Sequence, residues 1–172
     1  RTQLVAVYDS ETGGVRGLVV GTLLGALRTA AINAVAIKHL ARPDSRTLAV
    51  LGSGFQARRH LQAALAVRPF EEVWVYSPTR EHAESFASEL SASPDVPARI
   101  TAVPSPADAV RTADVIITAT TSPTPVFEPV WLRPGTHVNT IGPKFQDVHE
   151  LSPEVARRSA VKSRHFARAV AS

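Results

Sequence analysis

Cysteine and methionine are both absent from this 172-residue sequence, and only 6% of its residues are aromatic. Without cysteine the chain cannot form disulfide bonds, bind zinc through thiolates or use a thiol in catalysis, and we predict no metal site. Because the first residue is Arg1 and no methionine occurs, we do not expect residue 1 to be the native start of translation.

Long apolar runs are absent as well. Residues 17–27 are apolar, but the stretch is too short and too often interrupted by glycine to cross a membrane, and the charged segment before it is not typical of a signal peptide. With 44% hydrophobic and 20% charged residues, the composition is that of a globular protein. We therefore expect a cytoplasmic protein that has no membrane partner.

Acidic residues are fewer than basic ones, at 15 against 19, which gives a net charge of +4 and a pI near 10.1. The densest basic group, at 157–168, includes a single aromatic side chain, Phe166, whereas nucleic-acid interfaces combine basic and aromatic residues. We interpret this group as a solvated surface, or as one that contacts a missing segment. We expect no nucleic-acid partner.

Two β-rich runs, residues 3–9 and 15–20, are separated by a turn with two glycines, which predicts a hairpin. Because a lone hairpin is marginally stable, these strands are expected to complete a sheet whose other strands lie outside this sequence. The alanine-rich segment 27–41 then predicts a helix. Arg28 and Thr29 at its start either bind an anion or are a surface arginine beside a helix-capping threonine.

A glycine motif follows this helix. Residues 47–51 form an apolar strand, which breaks into Gly-Ser-Gly-Phe-Gln-Ala at 52–57 and continues as a helix over 56–67. If the motif binds a dinucleotide, Gly52 permits the tight turn and Gly54 lets the backbone approach a pyrophosphate, to which the helix start offers unpaired N–H groups. The alternative is a simple turn followed by two solvated arginines.

Short apolar runs alternate with helical segments from residue 47 onward. The alternation predicts an α/β fold with a Rossmann-type, doubly wound and mostly parallel sheet that helices cover on both faces. Four prolines between residues 123 and 134 predict a loop before the last strand. The predicted strands are 47–51, 73–76, 99–103, 115–119 and 137–141, and the predicted helices between them are 56–67, 80–90 and 106–112.

Residues that directly follow the strands are the candidates for ligand contact, because ligands of such sheets bind outside the carboxyl ends of the strands. After the second strand, Ser77, Thr79 and Arg80 occupy the place where an NAD site usually carries an acidic residue. Hydroxyl groups and a positive charge suit the 2′-phosphate of NADP(H), which we favour over NAD(H). Alternatively, Thr79 caps the next helix and Arg80 is solvated.

Polar residues also follow the later strands. Thr118, Ala119 and Thr120 are small enough to pack along a cofactor, or they only form a turn. After the last strand come four residues that are chemically able to transfer protons, although each by itself is more typical of a surface or a helix cap. These residues are Lys144, Asp147, His149 and Glu150.

Five segments together resemble the ornithine cyclodeaminase/mu-crystallin family. They run in the family's order through nearly the whole chain, at 27–31, 51–57, 118–120, 134–142 and 150–151. The resemblance implies an NAD(P)-binding Rossmann domain joined to a second domain that binds substrate and forms a homodimer in the full-length protein. It also implies hydride transfer through an imine, on a small amino or imino acid.

The resemblance further implies a domain division and a set of site residues. Residues 1–26 would be a remnant of the substrate and dimerisation domain, 27–45 a connecting helix and 46–172 the dinucleotide-binding domain. In the family, the arginine that matches Arg28 holds the substrate carboxylate, and the matches of Phe55 and Gln56 lie against the pyrophosphate. The full cofactor prediction is Thr29, Gly52, Gly54, Phe55, Gln56, Ser77, Thr79, Arg80, Thr118, Ala119, Thr120 and Gly142.

The sequence departs from the family at one catalytic position. Ornithine cyclodeaminases carry an aspartate two residues after the glycine that matches Gly142, and this chain has Lys144 there. A lysine can donate a proton to an imine nitrogen or bind a carboxylate, and Asp147 or Glu150 is the candidate base. We therefore favour an amino-acid dehydrogenase or ketimine reductase over a cyclodeaminase, with a non-catalytic, crystallin-like NADP(H)-binding protein as the alternative.

Overall fold

The computed structural model describes residues 3–94, 96–143 and 147–160. It contains a two-stranded antiparallel sheet and a five-stranded sheet. A short 3₁₀ helix, Pro129–Trp131, precedes the last strand. The strands are β1 (Leu4–Tyr8), β2 (Val15–Val20), β3 (Thr47–Leu51), β4 (Glu72–Tyr76), β5 (Arg99–Ala102), β6 (Val115–Thr118) and β7 (His137–Thr140), and the helices are α1 (Leu23–Leu40), α2 (Phe55–Val67), α3 (Arg80–Ser91), α4 (Pro106–Val110) and α5 (Pro153–Arg158).

The larger sheet has the strand order β5-β4-β3-β6-β7, and all of its strand pairs are parallel. The chain moves outward from β3 through β4 to β5, then returns to pair β6 with the other side of β3. The carboxyl ends of β3 and β6 therefore flank the point where the strand order reverses, which is the place where such sheets bind ligands. The α/β prediction with a parallel sheet and an N-terminal hairpin is confirmed.

Apolar side chains form a core on each face of this sheet. Val50 and Ile117 belong to one cluster, together with Leu61 of α2 and further residues of α1 and α3. Their neighbours Leu51 and Ile116 belong to the other cluster, which α4 and α5 cover. Because successive residues of a strand point to opposite faces, the unbroken apolar runs of the sequence fill both clusters.

Asp114 fixes the amino end of β6. Its carboxylate accepts hydrogen bonds from the backbone N–H groups of Arg46 (2.8 Å) and Thr47 (3.0 Å), and it forms ion pairs with Arg42 and Arg133. Burial raises the pKa of Asp114, but these N–H groups, the Thr47 hydroxyl and Arg42 outweigh it, so the net pKa is lowered. The residue thus ties the starts of β3 and β6 together, at the edge opposite the carboxyl ends of the strands.

The hairpin of β1 and β2 carries apolar side chains that are exposed on both of its faces. Leu4, Tyr8, Val15, Leu18 and Val20 are each at least 60% exposed. A hairpin with this much apolar surface is incompletely covered by the described residues. No helix in the described ranges is both long enough and apolar enough to cross a lipid bilayer.

Helices α1 and α5 differ most from the sequence-based prediction, and α4 ends at Val110, two residues before its predicted end. Helix α1 begins at Leu23, four residues before the predicted start, with Thr22 in the N-cap position. Helix α5 was not predicted, and it begins after Ser152, whose hydroxyl accepts a hydrogen bond from the N–H of Glu154. Arg28 and Thr29 consequently lie in the second turn of α1, so Thr29 is not its cap.

Candidate functional site

The glycine turn after β3 is packed against the segment that follows β6. Gly52 has φ +114°, which side-chain-bearing residues rarely adopt, and its N–H donates to the carbonyl of Tyr76 at 2.8 Å. A Cβ at this position would lie 2.4 Å from the carbonyl oxygen of Ala119. Gly52 is therefore required both by its backbone conformation and by the close approach of Ala119.

Gly54 leaves the amino end of α2 open. It is the N-cap residue of that helix, it has an ordinary φ of −85°, and a Cβ there would meet nothing within 4 Å. Because glycine cannot cap with a side chain, the first N–H groups of α2 receive no side-chain cap from Gly54. An uncapped helix start beside a glycine turn fits the pyrophosphate of a dinucleotide.

A cavity of about 410 Å³ lies between the amino-terminal parts of α1 and α2. It brings together four residues of the predicted site: Arg28, Thr29, Phe55 and Gln56. Arg28 is exposed and forms no hydrogen bond or ion pair with any residue that the structure describes. Its charge is thus available to an anion in the cavity, whereas the Thr29 hydroxyl donates to the carbonyl of Gly25 at 2.8 Å.

The end of β4 lies next to the glycine turn. The Ser53 hydroxyl donates to the Ser77 hydroxyl at 3.2 Å. Thr79 is the N-cap residue of α3, but its side chain makes no capping hydrogen bond. Arg80 is 80% exposed, and its Nε donates to Glu84 at 2.7 Å, which raises the arginine pKa. The three predicted phosphate ligands therefore follow the end of β4, and one of them, Ser77, contacts the turn.

The arginines of the first turn of α2 have partners within the protein. Arg58 forms an ion pair with Glu89 at 2.5 Å and lies over the ring of Phe86. The pKa of Glu89 is lowered, first by the Ser85 hydroxyl and then by Arg58. Arg59 lies over the ring of Phe55, 5.6 Å from its centre. These contacts account for two cations at a helix start without any bound anion.

Glu150 joins the ends of β6 and β7 through hydrogen bonds that the sequence did not suggest. The side chain is fully buried, and its two carboxylate oxygens accept six hydrogen bonds. The donors include the hydroxyl groups of Thr118 and Thr120 and the N–H of Gly142. Three residues of the predicted cofactor site are therefore held by one carboxylate, which the sequence had suggested only as a possible base.

The two predicted catalytic residues are not brought to this cluster by the described geometry. Lys144 lies outside the described residues. Asp147 is exposed, and it forms no hydrogen bond or ion pair with the part of the chain that is described. The backbone N–H of His149 donates to the carbonyl of Pro123 at 3.3 Å. Both catalytic assignments consequently stay predictions.

Comparison with known proteins gives consistent matches. The sequence model of the ornithine cyclodeaminase/mu-crystallin family matches residues 1–171. Ketimine reductase mu-crystallin of Mus musculus is 35% identical over 157 residues, which are 91% of this chain and 48% of the relative. Delta(1)-pyrroline-2-carboxylate reductase of Bacillus cereus is 36% identical over 167 residues, which are 95% of this chain and 50% of the relative.

Solved structures show the same fold. The Thermococcus litoralis Delta(1)-pyrroline-2-carboxylate reductase, in complex with NADH and L-proline, superposes with a TM-score of 0.84 at 38% identity, covering 91% of this chain and 48% of the other. The iminosuccinate reductase of Paracoccus denitrificans, in complex with NAD⁺, gives 0.81 at 31% identity, covering 93% and 48%. This chain spans about half the length of the relatives that it matches.

Proposed function

Because the chain belongs to the ornithine cyclodeaminase/mu-crystallin family, we propose that it supplies the NAD(P)-binding part of an oxidoreductase that acts on a small amino or imino acid. One observation supports this most directly: the cavity joins the amino end of α2 to Arg28, a cation that has no partner in the described part of the chain. Similar proteins are named as ketimine, Delta(1)-pyrroline-2-carboxylate or iminosuccinate reductases or as a lysine cyclodeaminase, and two were solved with NADH or NAD⁺.

Each part of the cavity has a separate task in this proposal. The uncapped N–H groups of α2 hold the pyrophosphate, and the absence of a side chain at Gly54 lets it approach. Arg28 binds the substrate carboxylate and so orients the α-carbon toward the cofactor. The nicotinamide, when bound, supplies or accepts the hydride at that carbon.

Proton transfer to the substrate nitrogen is assigned to the segment after Gly142. We propose Lys144 as the acid, or as a second carboxylate ligand, with Asp147 as the alternative proton-transfer group. A lysine that donates to an imine nitrogen suits imine reduction better than cyclodeamination. Lys144→Ala should therefore lower kcat for imine reduction by about 100-fold while leaving cofactor affinity within about twofold. A kcat that does not change would remove Lys144 from the mechanism.

We further propose that NADP(H) is preferred over NAD(H). The support is the group of Ser77, Thr79 and Arg80, which begins beside the glycine turn. The Thr79 hydroxyl makes no capping hydrogen bond and the Arg80 guanidinium is exposed, so both can reach a 2′-phosphate. No acidic residue follows β4 directly to bind a ribose 2′-OH. The cation would exchange its exposed partner Glu84 for the phosphate.

The experiment is a titration with NADPH and NADH, followed by tryptophan fluorescence. We expect NADPH to bind more tightly, and Arg80→Ala to weaken NADPH about tenfold without affecting NADH, as loss of one charge-assisted contact predicts. Arg46→Ala is the matched control, because Arg46 also pairs with an exposed glutamate but lies at the opposite edge of the sheet. Equal affinities for both nucleotides would contradict the preference.

Turnover separates the enzyme from a binding protein. Nicotinamide absorbance is followed in the complete polypeptide with cyclic imino acids, and with keto acids plus amine. We expect the wild type to oxidise NADPH with these substrates. Arg28→Ala should slow this oxidation mainly by raising the KM for the substrate, whose carboxylate Arg28 is proposed to bind. Tight binding without turnover on any of these substrates would favour the crystallin-like, non-catalytic alternative.

We also propose that the complete polypeptide is a homodimer, with the exposed hairpin of β1 and β2 as part of the covered surface.

A further inference from the structure

Glu150 has no task in the hydride transfer proposed above, yet its carboxylate is fully buried. Within the described residues, no lysine, arginine or histidine forms an ion pair with it. Among these residues, its stabilising contacts are all hydrogen bonds from hydroxyl and backbone N–H groups. A buried carboxylate held only by donors is costly to desolvate, so such an arrangement calls for a specific role.

The donors come from the ends of two neighbouring strands. Oε1 accepts from the hydroxyl groups of Thr118 (2.8 Å) and Thr140 (2.9 Å), and from the N–H groups of Ile141 (3.1 Å) and Gly142 (2.5 Å). Oε2 accepts from the N–H (2.9 Å) and the hydroxyl (2.7 Å) of Thr120. One side chain thus continues the pairing of β6 and β7 beyond the ladder bond from Ile141 to Thr118.

The fit around the carboxylate leaves little room for movement. A Cβ on Gly142 would lie 2.4 Å from Cδ of Glu150 and 2.5 Å from the carbonyl oxygen of Thr120. The main chain of Glu150 is anchored as well, since its N–H donates to Pro143 and its carbonyl accepts from Val126. Thr120 and Gly142 are therefore both held by this one side chain.

The residues so held lie on the cofactor side of the sheet. Ala119, between Thr118 and Thr120, places its carbonyl against the Gly52 turn. In a doubly wound sheet the dinucleotide extends across the reversal point, with the adenosine half near β4 and the nicotinamide half near β6 and β7. We propose that Glu150 is a positioning residue that shapes the wall for the nicotinamide half, an inference that rests on the proposed function.

An amide cannot replace this carboxylate. The side chain introduced by Glu150→Gln would place its NH₂ group either toward the N–H groups of Ile141 and Gly142 or toward the N–H of Thr120, and none of these can accept a hydrogen bond. Losing the hydrogen bond from the one N–H of Thr120 costs less than losing those from the two N–H groups of Ile141 and Gly142, so the NH₂ group should face Thr120. Glu150→Gln should consequently release the segment after β6 while it keeps the contacts to β7.

The test compares NADPH with 2′-phospho-ADP-ribose, which retains the second ribose but carries a hydroxyl group in place of the nicotinamide. Their dissociation constants are measured by calorimetry for the wild type, Glu150→Gln and Asp114→Asn. The last is the matched control, because Asp114 also accepts two backbone N–H groups at an end of β6, but at the opposite edge. In Glu150→Gln we expect NADPH affinity to fall about tenfold and 2′-phospho-ADP-ribose affinity to stay within about twofold.

A general loss of stability would weaken both ligands alike, so the ratio of the two affinities reports positioning. If this ratio of affinities is the same in Glu150→Gln, Asp114→Asn and the wild type, the inference about Glu150 is overturned, whereas the proposed function is not. Failure of the wild type to bind either NADPH or NADH would overturn the proposed function and this inference with it. If Glu150→Gln does not fold, Thr140→Val, which removes one hydroxyl donor to Oε1, should lower the ratio about threefold, and an unchanged ratio again overturns the proposal.

Discussion

Gly52 and Gly54 are two residues apart, but the same substitution should affect them in different ways. Gly52→Ala forces an L-residue into φ +114° and displaces the carbonyl of Ala119, so it should lower the free energy of unfolding by about 2–4 kcal/mol. Gly54→Ala fits the existing φ and meets no atom, so the free energy of unfolding should change by less than about 1 kcal/mol. Its methyl group would occupy the pyrophosphate approach and weaken dinucleotide binding at least about tenfold.

Urea denaturation gives the free energies of unfolding, and NADPH titration gives the affinities. The pair serves as its own control, because one variant changes mainly stability and the other mainly binding. Equal stability of Gly52→Ala and wild type would show that the turn can relax. Unchanged NADPH affinity in Gly54→Ala would show that the amino end of α2 does not hold the pyrophosphate.

At the scale of single residues, the sequence identifies local chemistry better than tertiary partners. The turn at Gly52 and Gly54 was predictable because the strand before it and the helix after it are adjacent in the chain. The task of Glu150 was not, because its donors are between 8 and 32 positions away. No periodicity or local motif encodes a carboxylate that accepts from two strand ends.

At the scale of secondary structure, prediction succeeded where apolar runs had clear boundaries. The bounds of β3 and β4 were predicted to within one residue, because glycine or helix signals follow each apolar run. The start of α1 was missed because Leu23, Leu24 and Gly25 continue the apolar, glycine-containing stretch that begins in β2. Helix α5 had a usable signal, since Ser152 and Pro153 are a typical cap and first residue.

The contact between β7 and α1 should make stability depend on pH. His137 donates to Asn139 at 3.2 Å, and Asn139 donates to the carbonyl of Asn33 in α1. Burial lowers the pKa of His137 below its usual 6.5, and the hydrogen bond to Asn139 only partly opposes this. Because the unfolded chain then binds the proton more readily, this contribution to stability is present above about pH 6.5 and is lost as the pH falls through the folded-state pKa.

The measurement is the free energy of unfolding between pH 7.5 and pH 5, for the wild type and for His137→Gln. The variant can still donate to Asn139 but does not titrate, so its stability should fall less steeply as the pH is lowered. The difference between the two proteins isolates His137 from the other histidines. Parallel pH profiles would show that protonation of His137 is not linked to unfolding.

At the scale of the whole molecule, two carboxylates hold opposite edges of one sheet. Asp114 joins the amino ends of β3 and β6, and Glu150 joins the carboxyl ends of β6 and β7. Among the described residues, the glycine turn, the uncapped start of α2 and the cavity with Arg28 all lie at the carboxyl edge. The sheet thus combines a closed edge, where Asp114 ties two strands together, with an open edge, where we propose that the dinucleotide binds.

The exposed hairpin gives the last prediction. Apolar side chains on both faces of β1 and β2 should make residues 1–172, expressed alone, associate as the concentration rises. Leu18→Lys places a charge in this surface, where Leu18 is 60% exposed, and should shift sedimentation toward the monomer. Val130→Lys is the control, because Val130 is 79% exposed but belongs to the 3₁₀ helix and not to the hairpin. Exposed apolar surface commonly drives association in the μM range, so the wild type is measured at about 100 μM. The hairpin is not the associating surface if the wild type is monomeric at that concentration, or if Val130→Lys shifts the chain toward the monomer as much as Leu18→Lys does.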